Sequence, residues 1–184
     1  MSKKVFEDFQ KIINEFYKGA GPASVIELGA YHWSLLSMEK FNNSRKVAFN
    51  FSYTENDKKK LEKYEVIEGN INSMAFKDEE FDCAMSCSTF EHDKYFWKSI
   101  AETRRIVKKG GLFVVGVPVY TELATDMMTS TLTYKVHGKS YNMDFYRFSE
   151  QAVREVLLEG FEVVSVVYSR KYPNPYLLMA GVKK

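Results

Sequence analysis

Short apolar runs alternate with amphipathic segments along the whole chain. Short segments rich in apolar residues, each of strand length, cover positions 24–28, 45–49, 65–67, 81–88, 112–117, 161–168 and 176–182. A helical period of about 3.6 residues fits positions 5–17, 34–41, 55–63, 94–108 and 149–158. Strands that alternate with helices form a mostly parallel sheet covered by helices on both faces, so the pattern predicts an α/β fold. The last two runs follow each other directly, which predicts one antiparallel strand at the sheet edge.

The segment 81–117 combines a strand, a polar cluster, a helix and a second strand. Its helix is followed by Gly110 and Gly111, which we expect to cap it. A βαβ unit of this kind places ligands beyond the carboxyl ends of its strands. The polar side chains at that position are those of Ser86, Ser88, Thr89, Glu91 and His92. The pattern therefore predicts that the functional site lies at this cluster.

Length and composition restrict the class of protein. The chain of 184 residues is long enough for one core and too short for two full domains, so we expect a single domain over 1–184. A net charge of +2, and a single basic run at 58–60 set among acidic residues, argue against a nucleic-acid partner. No apolar run resembles a membrane span or a signal peptide, so we expect a cytoplasmic protein without membrane contact.

Cysteines and histidines show no metal-binding pattern. Cys83 and Cys87 lie four positions apart on one face of a predicted strand, too far apart for a disulfide. The histidines at 32, 92 and 137 have no ligand spacing. We therefore expect no metal site and interpret both cysteines as core thiols.

The segment 120–144 shows no clear period and contains several methionine, threonine and tyrosine residues. An irregular insertion of more than about 15 residues in a compact domain is usually functional. We therefore expect this segment to cover the site and to contact the substrate.

Four motifs, in order along the chain, carry a resemblance to a known family. Residues 25–30, an apolar strand that ends in Glu-Leu-Gly-Ala, resemble the first motif of class I S-adenosylmethionine-dependent methyltransferases. Residues 72–92, 102–111 and 145–150 are similar to later motifs of the methyltransferase-11-type branch, with Lys109 in place of the usual proline. The conjunction is specific, although each motif alone is weak. The resemblance implies a Rossmann-like methyltransferase fold: a doubly wound, mostly parallel seven-stranded sheet in the order 3-2-1-4-5-7-6, with the last strand antiparallel.

The resemblance also implies S-adenosylmethionine as the cofactor. The residues at the corresponding positions are Glu27, Gly29, Ala30, Tyr31, Asn50, Phe51, Asn70, Ile71, Ser86 and Ser88. Tyr31 and Trp33 stand where the family usually has its second and third glycines, and Asn50 and Asn70 stand where it usually has acids. A neutral acceptor contributes about 1 kcal/mol against about 1.5–3 kcal/mol for a charged one, so the two asparagines should weaken cofactor binding.

Several candidate residues have a structural interpretation beside the functional one. Glu27 either contacts the amino group of the cofactor or caps a helix, and Tyr31 either lines the pocket or packs on the neighbouring helix. His92 is either the catalytic base that takes a proton from the acceptor or a cap residue that binds a loop. Tyr146 and Arg147 either position the substrate or tie a loop to the sheet.

The resemblance implies methyl transfer to a hydroxyl or amine of a small or medium organic acceptor. Two alternatives remain open. The chain could be an inactive binding or scaffolding module, which would explain why three cofactor contacts are changed together. It could instead be an oxidoreductase that uses a dinucleotide, although the absence of the glycine fingerprint makes this alternative the weaker one. The oligomeric state is not defined by any of these patterns.

Overall fold

The computed structural model describes residues 1–19, 23–119, 144–170 and 175–184. The strands are β1 (Ser24–Leu28), β2 (Arg45–Asn50), β3 (Glu65–Glu68), β4 (Phe81–Cys87), β5 (Val107–Pro118), β6 (Phe161–Arg170) and β7 (Tyr176–Lys183). The α-helices are α1 (Lys3–Phe16), α2 (Glu55–Leu61), α3 (Phe96–Ile106) and α4 (Glu150–Ala152), and α4 continues as a π-helix over Val153–Leu157. Three short 3-10 helices cover Leu35–Ser37, Glu39–Phe41 and Phe90–His92.

The seven strands form one sheet in the order β3-β2-β1-β4-β5-β7-β6. The pairs from β3 to β5 are parallel, whereas β7 is antiparallel to both β5 and β6. The predicted fold class, strand order and antiparallel last strand are therefore confirmed. The expected place of the antiparallel strand at the sheet edge is wrong, because β7 lies between β5 and β6 and leaves β6 at the edge.

Helices cover the sheet on both faces and enclose two apolar cores. One core joins α1, the first two 3-10 helices and α2 to the sheet, and it contains Phe9, Phe41 and Cys83. The other core joins α3 and the helix after Ser149 to the opposite face, and it contains Phe81 and Phe113. This arrangement confirms the prediction that helices cover both faces of the sheet. Both cysteines are free thiols that belong to the first core, Cys83 fully buried and Cys87 partly buried against it.

The connection after β1 differs from the predicted helix over 34–41. Two 3-10 helices of three residues each replace it, and Met38 between them has an extended backbone with φ −61° and ψ 136°. Ser34 begins the first of them, since its hydroxyl accepts a hydrogen bond from the Leu36 N–H at 3.1 Å. This layer is therefore thinner than a full helix would make it.

The glycine cap predicted at the end of α3 is wrong. α3 ends at Ile106 and β5 begins at Val107, so Gly110 and Gly111 do not cap the helix. Gly110, at φ +72°, lies in an irregular part of β5 where the register against β4 shifts between Phe81 and Cys83. The helix predicted over 149–158 begins after Ser149, whose hydroxyl accepts a hydrogen bond from the Ala152 N–H at 3.0 Å.

The predicted cover segment, 120–144, lies outside the described residues except for Asp144. Within the described ranges, no helix combines the length and the apolar character needed to cross a membrane. The same part of the chain holds no group of three or more His, Cys, Asp or Glu side chains placed to bind a metal ion.

Candidate functional site

Residues after the first four strands surround a cavity of about 250 Å³. Its lining consists of Gly29, Phe49, Asn50, Phe51, Gly69, Asn70, Ile71, Asn72, Thr89, His92 and Asp93. Parallel strands bring their carboxyl ends to one edge of the sheet, which is why residues up to 64 positions apart in sequence meet here. Five of the ten predicted cofactor residues line this cavity together with His92, and these five are Gly29, Asn50, Phe51, Asn70 and Ile71.

The turn after β1 requires glycine at position 29. Gly29 has φ +79°, and a Cβ atom built on it would lie 2.1 Å from Thr89 Oγ1. The N–H groups of Gly29 and Ala30 both donate to the Phe49 carbonyl, at 2.8 and 3.1 Å. Thr89 in turn donates its hydroxyl to the Leu28 carbonyl at 3.0 Å. The glycine therefore admits the side chain of Thr89, a lining residue that the motif comparison did not identify.

Asn50 and Asn70 each form hydrogen bonds with backbone groups beside the cavity. Asn50 donates from Nδ2 to the Ala30 carbonyl at 3.1 Å and accepts from the Phe51 N–H at 2.8 Å. Asn70 accepts from the Asn72 N–H at 2.9 Å. Each side chain carries two donor hydrogens and two acceptor lone pairs, so each keeps capacity for a ligand.

Glu27 does not line this cavity. Its buried carboxylate accepts hydrogen bonds from Ser34 Oγ at 2.5 Å and from the Leu35 N–H at 2.9 Å. Burial raises the pKa of Glu27 to about 7, against the opposing effect of these hydrogen bonds. The observed contacts are those of the capping interpretation, since both donors, Ser34 and Leu35, are at the start of the first 3-10 helix.

The aromatic side chains after β1 point away from the cavity lining. Tyr31 is half exposed and contacts the ring of His32 at a centroid distance of 4.8 Å. Trp33 is 71% exposed. Neither lines the cavity described above, and Trp33 instead lines another cavity on the helical face.

The two serines of the β4 end have different surroundings. Ser86 is fully buried, and its hydroxyl has no hydrogen-bond partner among the described residues. Ser88 lies just past the strand with φ +56°, and its hydroxyl lies 2.9 Å from the Tyr176 hydroxyl. Its N–H donates to the Gly116 carbonyl at 2.9 Å, which ties the turn to β5. Neither serine lines the cavity.

His92 lies at the end of a 3-10 helix and contacts an acidic residue from a distant part of the chain. Its Nδ1 lies 2.9 Å from Asp144 Oδ1, and the other oxygen of Asp144 pairs with the Arg147 guanidinium. The Phe145 N–H donates to the Glu91 carbonyl at 2.7 Å and holds the two segments together. His92 therefore combines a place in the cavity lining with a fixed carboxylate on its other side.

Arg147 and Tyr146 are both engaged within the protein. The Arg147 side chain is only 9% exposed and also donates to the Tyr146 carbonyl at 3.1 Å. The Tyr146 hydroxyl donates to the Lys94 carbonyl at 2.9 Å, and its ring packs edge-on against Phe96 at 4.8 Å. These contacts tie the segment after Asp144 to the start of α3.

Glu91 belongs to the predicted polar cluster at the end of β4, but the sequence assigned it no role, and its environment is unusual. It is 2% exposed, and Oε2 has no hydrogen-bond partner among the described residues. Burial raises the pKa of Glu91 to about 8, the charge of Asp144 raises it further, and Arg147 opposes the shift. The only sequence signal was its place beside His92, because its burial depends on segments far away in sequence.

The comparisons with known proteins point to one family. A family model for a methyltransferase domain matches residues 24–115. No curated protein matches the sequence.

Solved structures of similar fold include several methyltransferases. Geranyl diphosphate C-methyltransferase from Streptomyces coelicolor A3(2) superposes with a TM-score of 0.75 at 10% identity, over 97% of this chain and 76% of that one. The 1,6-didemethyltoxoflavin-N1-methyltransferase from Burkholderia thailandensis gives a TM-score of 0.67 at 14% identity, over 98% and 87%. The [4+2]-cyclase SpnF gives a TM-score of 0.71 at 15% identity, over 96% and 80%. At these identities the superpositions establish the shared fold.

The matched family region runs from β1 into β5, so it contains every strand that contributes to the cavity. The sheet order beyond that region is also the one that the motif resemblance implies. The predicted resemblance is thereby confirmed: the chain belongs to the methyltransferase domain family, and it is an S-adenosylmethionine-dependent methyltransferase of class I.

Proposed function

We propose that the protein transfers a methyl group from S-adenosylmethionine to a hydroxyl or amine of a small or medium organic acceptor. The observation that carries the proposal is the cavity at the strand ends, where five residues predicted from cofactor motifs meet His92. The relatives support it, because the Streptomyces and Burkholderia enzymes were crystallised with S-adenosylhomocysteine and are named for small-molecule acceptors. Free thiols at Cys83 and Cys87 fit a reducing compartment, so we place this activity in the cytoplasm.

The lining of the cavity suits the adenosine part of the cofactor. Phe49, Phe51 and Ile71 provide apolar surface for a flat base, while Asn50 and Asn70 provide amide donors and acceptors for polar groups. When bound, S-adenosylmethionine supplies an electrophilic methyl group on a sulfonium. The residues of the chain then have three tasks: they bind the cofactor and the acceptor, they orient the two for transfer, and they accept one proton from the acceptor.

His92 is the proposed base. A carboxylate beside Nδ1, here that of Asp144 at 2.9 Å, favours the tautomer with the proton on Nδ1. Nε2 is then the basic nitrogen that accepts a proton from the acceptor. Arg147 holds Asp144 from the other side and is buried, so it acts as a positioning residue in this arrangement.

Calorimetric titration with S-adenosylhomocysteine tests the cofactor part of the proposal. Asn50→Ala should weaken binding about fivefold, because one neutral hydrogen bond contributes about 1 kcal/mol. Asn14→Ala, at an exposed position of α1, is the matched control and should leave binding unchanged. Unaltered affinity in Asn50→Ala would place the cofactor elsewhere.

Turnover separates the enzyme from the inactive-module alternative. The wild-type protein should release S-adenosylhomocysteine when it is incubated with S-adenosylmethionine and a panel of phenols, alcohols and amines. Tight binding of S-adenosylhomocysteine without turnover of any acceptor would favour the binding module. Binding of NAD in place of S-adenosylhomocysteine would favour the oxidoreductase.

A further inference from the structure

Two further cavities lie on the face of the sheet that α1 and α2 cover. One has a volume of about 490 Å³ and lies among α1, the first 3-10 helix and the end of α2. The other has a volume of about 510 Å³ and lies beside it, toward the start of β2 and β3. Ser37, Lys63 and Tyr64 line both cavities, which makes them neighbours with a common wall. Neither shares a residue with the proposed cofactor cavity.

The local fold explains why this face is open. The connection after β1 has only two 3-10 helices of three residues, and α2 has only seven residues. These short elements cover less of the sheet than full helices would. Phe6, Leu61 and Trp33 form the apolar wall of the first cavity, and the Trp33 side chain is 71% exposed. A large aromatic side chain exposed beside apolar neighbours is typical of a binding surface.

The second cavity has an excess of positive charge. Arg45 forms ion pairs with Glu65 at 2.7 Å and with Glu80 at 2.6 Å. The carboxylate of Glu65, the acidic residue in the lining, is therefore already neutralised. Lys46 and Lys63, in contrast, have no carboxylate of the described residues within 4.0 Å. Two unpaired lysines in one recess favour an anion.

The ring of Tyr64 brings these two lysines together. The ammonium groups of Lys46 and Lys63 lie 5.9 and 5.1 Å from the centre of the Tyr64 ring. Partial burial lowers the pKa of Lys46, and the charge of Lys63 lowers it further. Because the two like charges repel, an anion bound near both ammonium groups would relieve the repulsion.

We propose that the two cavities form one binding site for an amphipathic carboxylate, with its apolar body against Phe6, Trp33 and Leu61 and its carboxylate at Lys46 and Lys63. The apolar and charged parts of the site meet at Ser37 and Tyr64, where the body of such a ligand would join its head. This site is separate from the methyl-transfer site and takes a different class of ligand. Lysine presents a compact charge without the planar fork of arginine, which suits a single carboxylate.

Trp33 itself reports on the site. The chain has two tryptophans, and Trp97→Phe, at a half-exposed position of α3 on the opposite face, leaves Trp33 as the single tryptophan, whose emission is observed apart from that of the tyrosines by excitation at wavelengths that only tryptophan absorbs. Titration of this variant with decanoate, below its micelle concentration, should shift the Trp33 emission to shorter wavelength and saturate. 1-Decanol, which has the same alkyl chain and no charge, should bind about tenfold more weakly. A hydrogen bond to a charged group contributes about 1.5–3 kcal/mol, and the exposure of the lysines to solvent reduces this contribution.

Charge removal tests the proposed head position. Lys46→Gln and Lys63→Gln, in the Trp97→Phe background, should each weaken decanoate binding about five- to tenfold and leave 1-decanol binding unchanged. Lys109→Gln, an exposed lysine outside both cavities, is the matched control and should change neither. Equal affinity for decanoate and 1-decanol, or an unsaturable shift, would overturn the proposal.

The remaining outcomes distinguish this site from the cofactor site. Both lysine variants should bind S-adenosylhomocysteine with wild-type affinity, whether or not the protein turns out to methylate an acceptor. Competition between decanoate and S-adenosylhomocysteine would place the carboxylate in the cofactor cavity and overturn the proposal. An emission shift that depends on protein concentration without decanoate would show a second copy of the chain in these cavities and would also overturn it.

Discussion

Replacement of Glu91 by glutamine should stabilise the protein at alkaline pH and leave its stability nearly unchanged at acidic pH. Glu91 is 2% exposed, and burial raises its pKa from 4.5 to about 8. In the folded protein the carboxyl group is therefore protonated at pH 6, whereas in the unfolded chain it is ionised. Glutamine has the shape of the protonated acid and never ionises, so it removes the cost of burying the charge.

The magnitude follows from the two pKa values. A pKa raised on folding means that the folded state binds more protons, so the contribution of Glu91 is fully present below pH 4.5 and is lost as the pH rises through about 8. At 1.36 kcal/mol per pKa unit, the whole effect is roughly 4–5 kcal/mol. Between pH 5.5 and 8.5 the free energy of unfolding of wild-type protein should fall, relative to Glu91→Gln, by about 3 kcal/mol.

Urea denaturation at a series of pH values measures this difference. The free energies of unfolding of wild-type and Glu91→Gln protein should converge below pH 4.5 and diverge steadily toward pH 8.5. Glu15→Gln, at an exposed position of α1, is the matched control and should run parallel to wild type. Glu27 has a pKa raised to about 7 and adds a slope of the same sign, but it is present in all three proteins and cancels in the differences. A difference between Glu91→Gln and wild type that stays constant with pH would refute the argument.

Three further perturbations test other parts of the molecule. His92→Ala should lower the turnover number in steady-state kinetics about 10²-fold and leave cofactor affinity unchanged, and the turnover number of the wild type should decline at low pH. An unchanged turnover number in His92→Ala would show that His92 has only a structural role. Asn50→Asp should tighten S-adenosylhomocysteine binding in calorimetry, because a charged acceptor replaces a neutral one, and an equal affinity would argue against a ribose contact. Gly29→Ala should destabilise the protein by about 2–4 kcal/mol in thermal unfolding, since φ +79° disfavours a Cβ atom and Thr89 occupies its space. Thr89→Ala in the same chain should recover part of that loss, and purely additive effects would contradict the steric explanation.

The strands could be predicted from the sequence because their signal is local. β1 has the predicted bounds, and the predicted bounds of β2, β3, β4, β6 and β7 differ from the structure by one or two residues at the carboxyl end. β5 differs more, because it begins five residues before the predicted run and ends one residue after it. The helix expected after β1 was not found, because Leu35, Leu36 and Phe41 have helical spacing but serve two separate turns. Hydrophobic periodicity cannot distinguish one helix from two short turns when both bury the same side chains.

The candidate site was predictable only in outline. The motif resemblance located five residues of the cavity lining, because the strand ends impose a common edge on them. The contact of His92 with Asp144 joins residues 52 positions apart, at the border of a segment without a period, and no local pattern indicates it. The burial of Glu91 depends on the same long-range contact. A hydrophobicity pattern predicts that every charged side chain is exposed. The burial of a charged residue is therefore visible only in the folded structure.

The position of β7 also has a consequence for synthesis of the protein on the ribosome. Among the strands that the structure describes, β6 pairs only with β7, and β5 pairs with β7 along the edge that faces away from β4. Until residues 176–183 leave the ribosome, the edge of β5 stays open and β6 has no partner. Unpaired strand edges attract other chains, and non-local pairing closes slowly. The nascent chain should therefore be most prone to aggregation, and most dependent on chaperones, in the interval between the release of β6 and the release of β7.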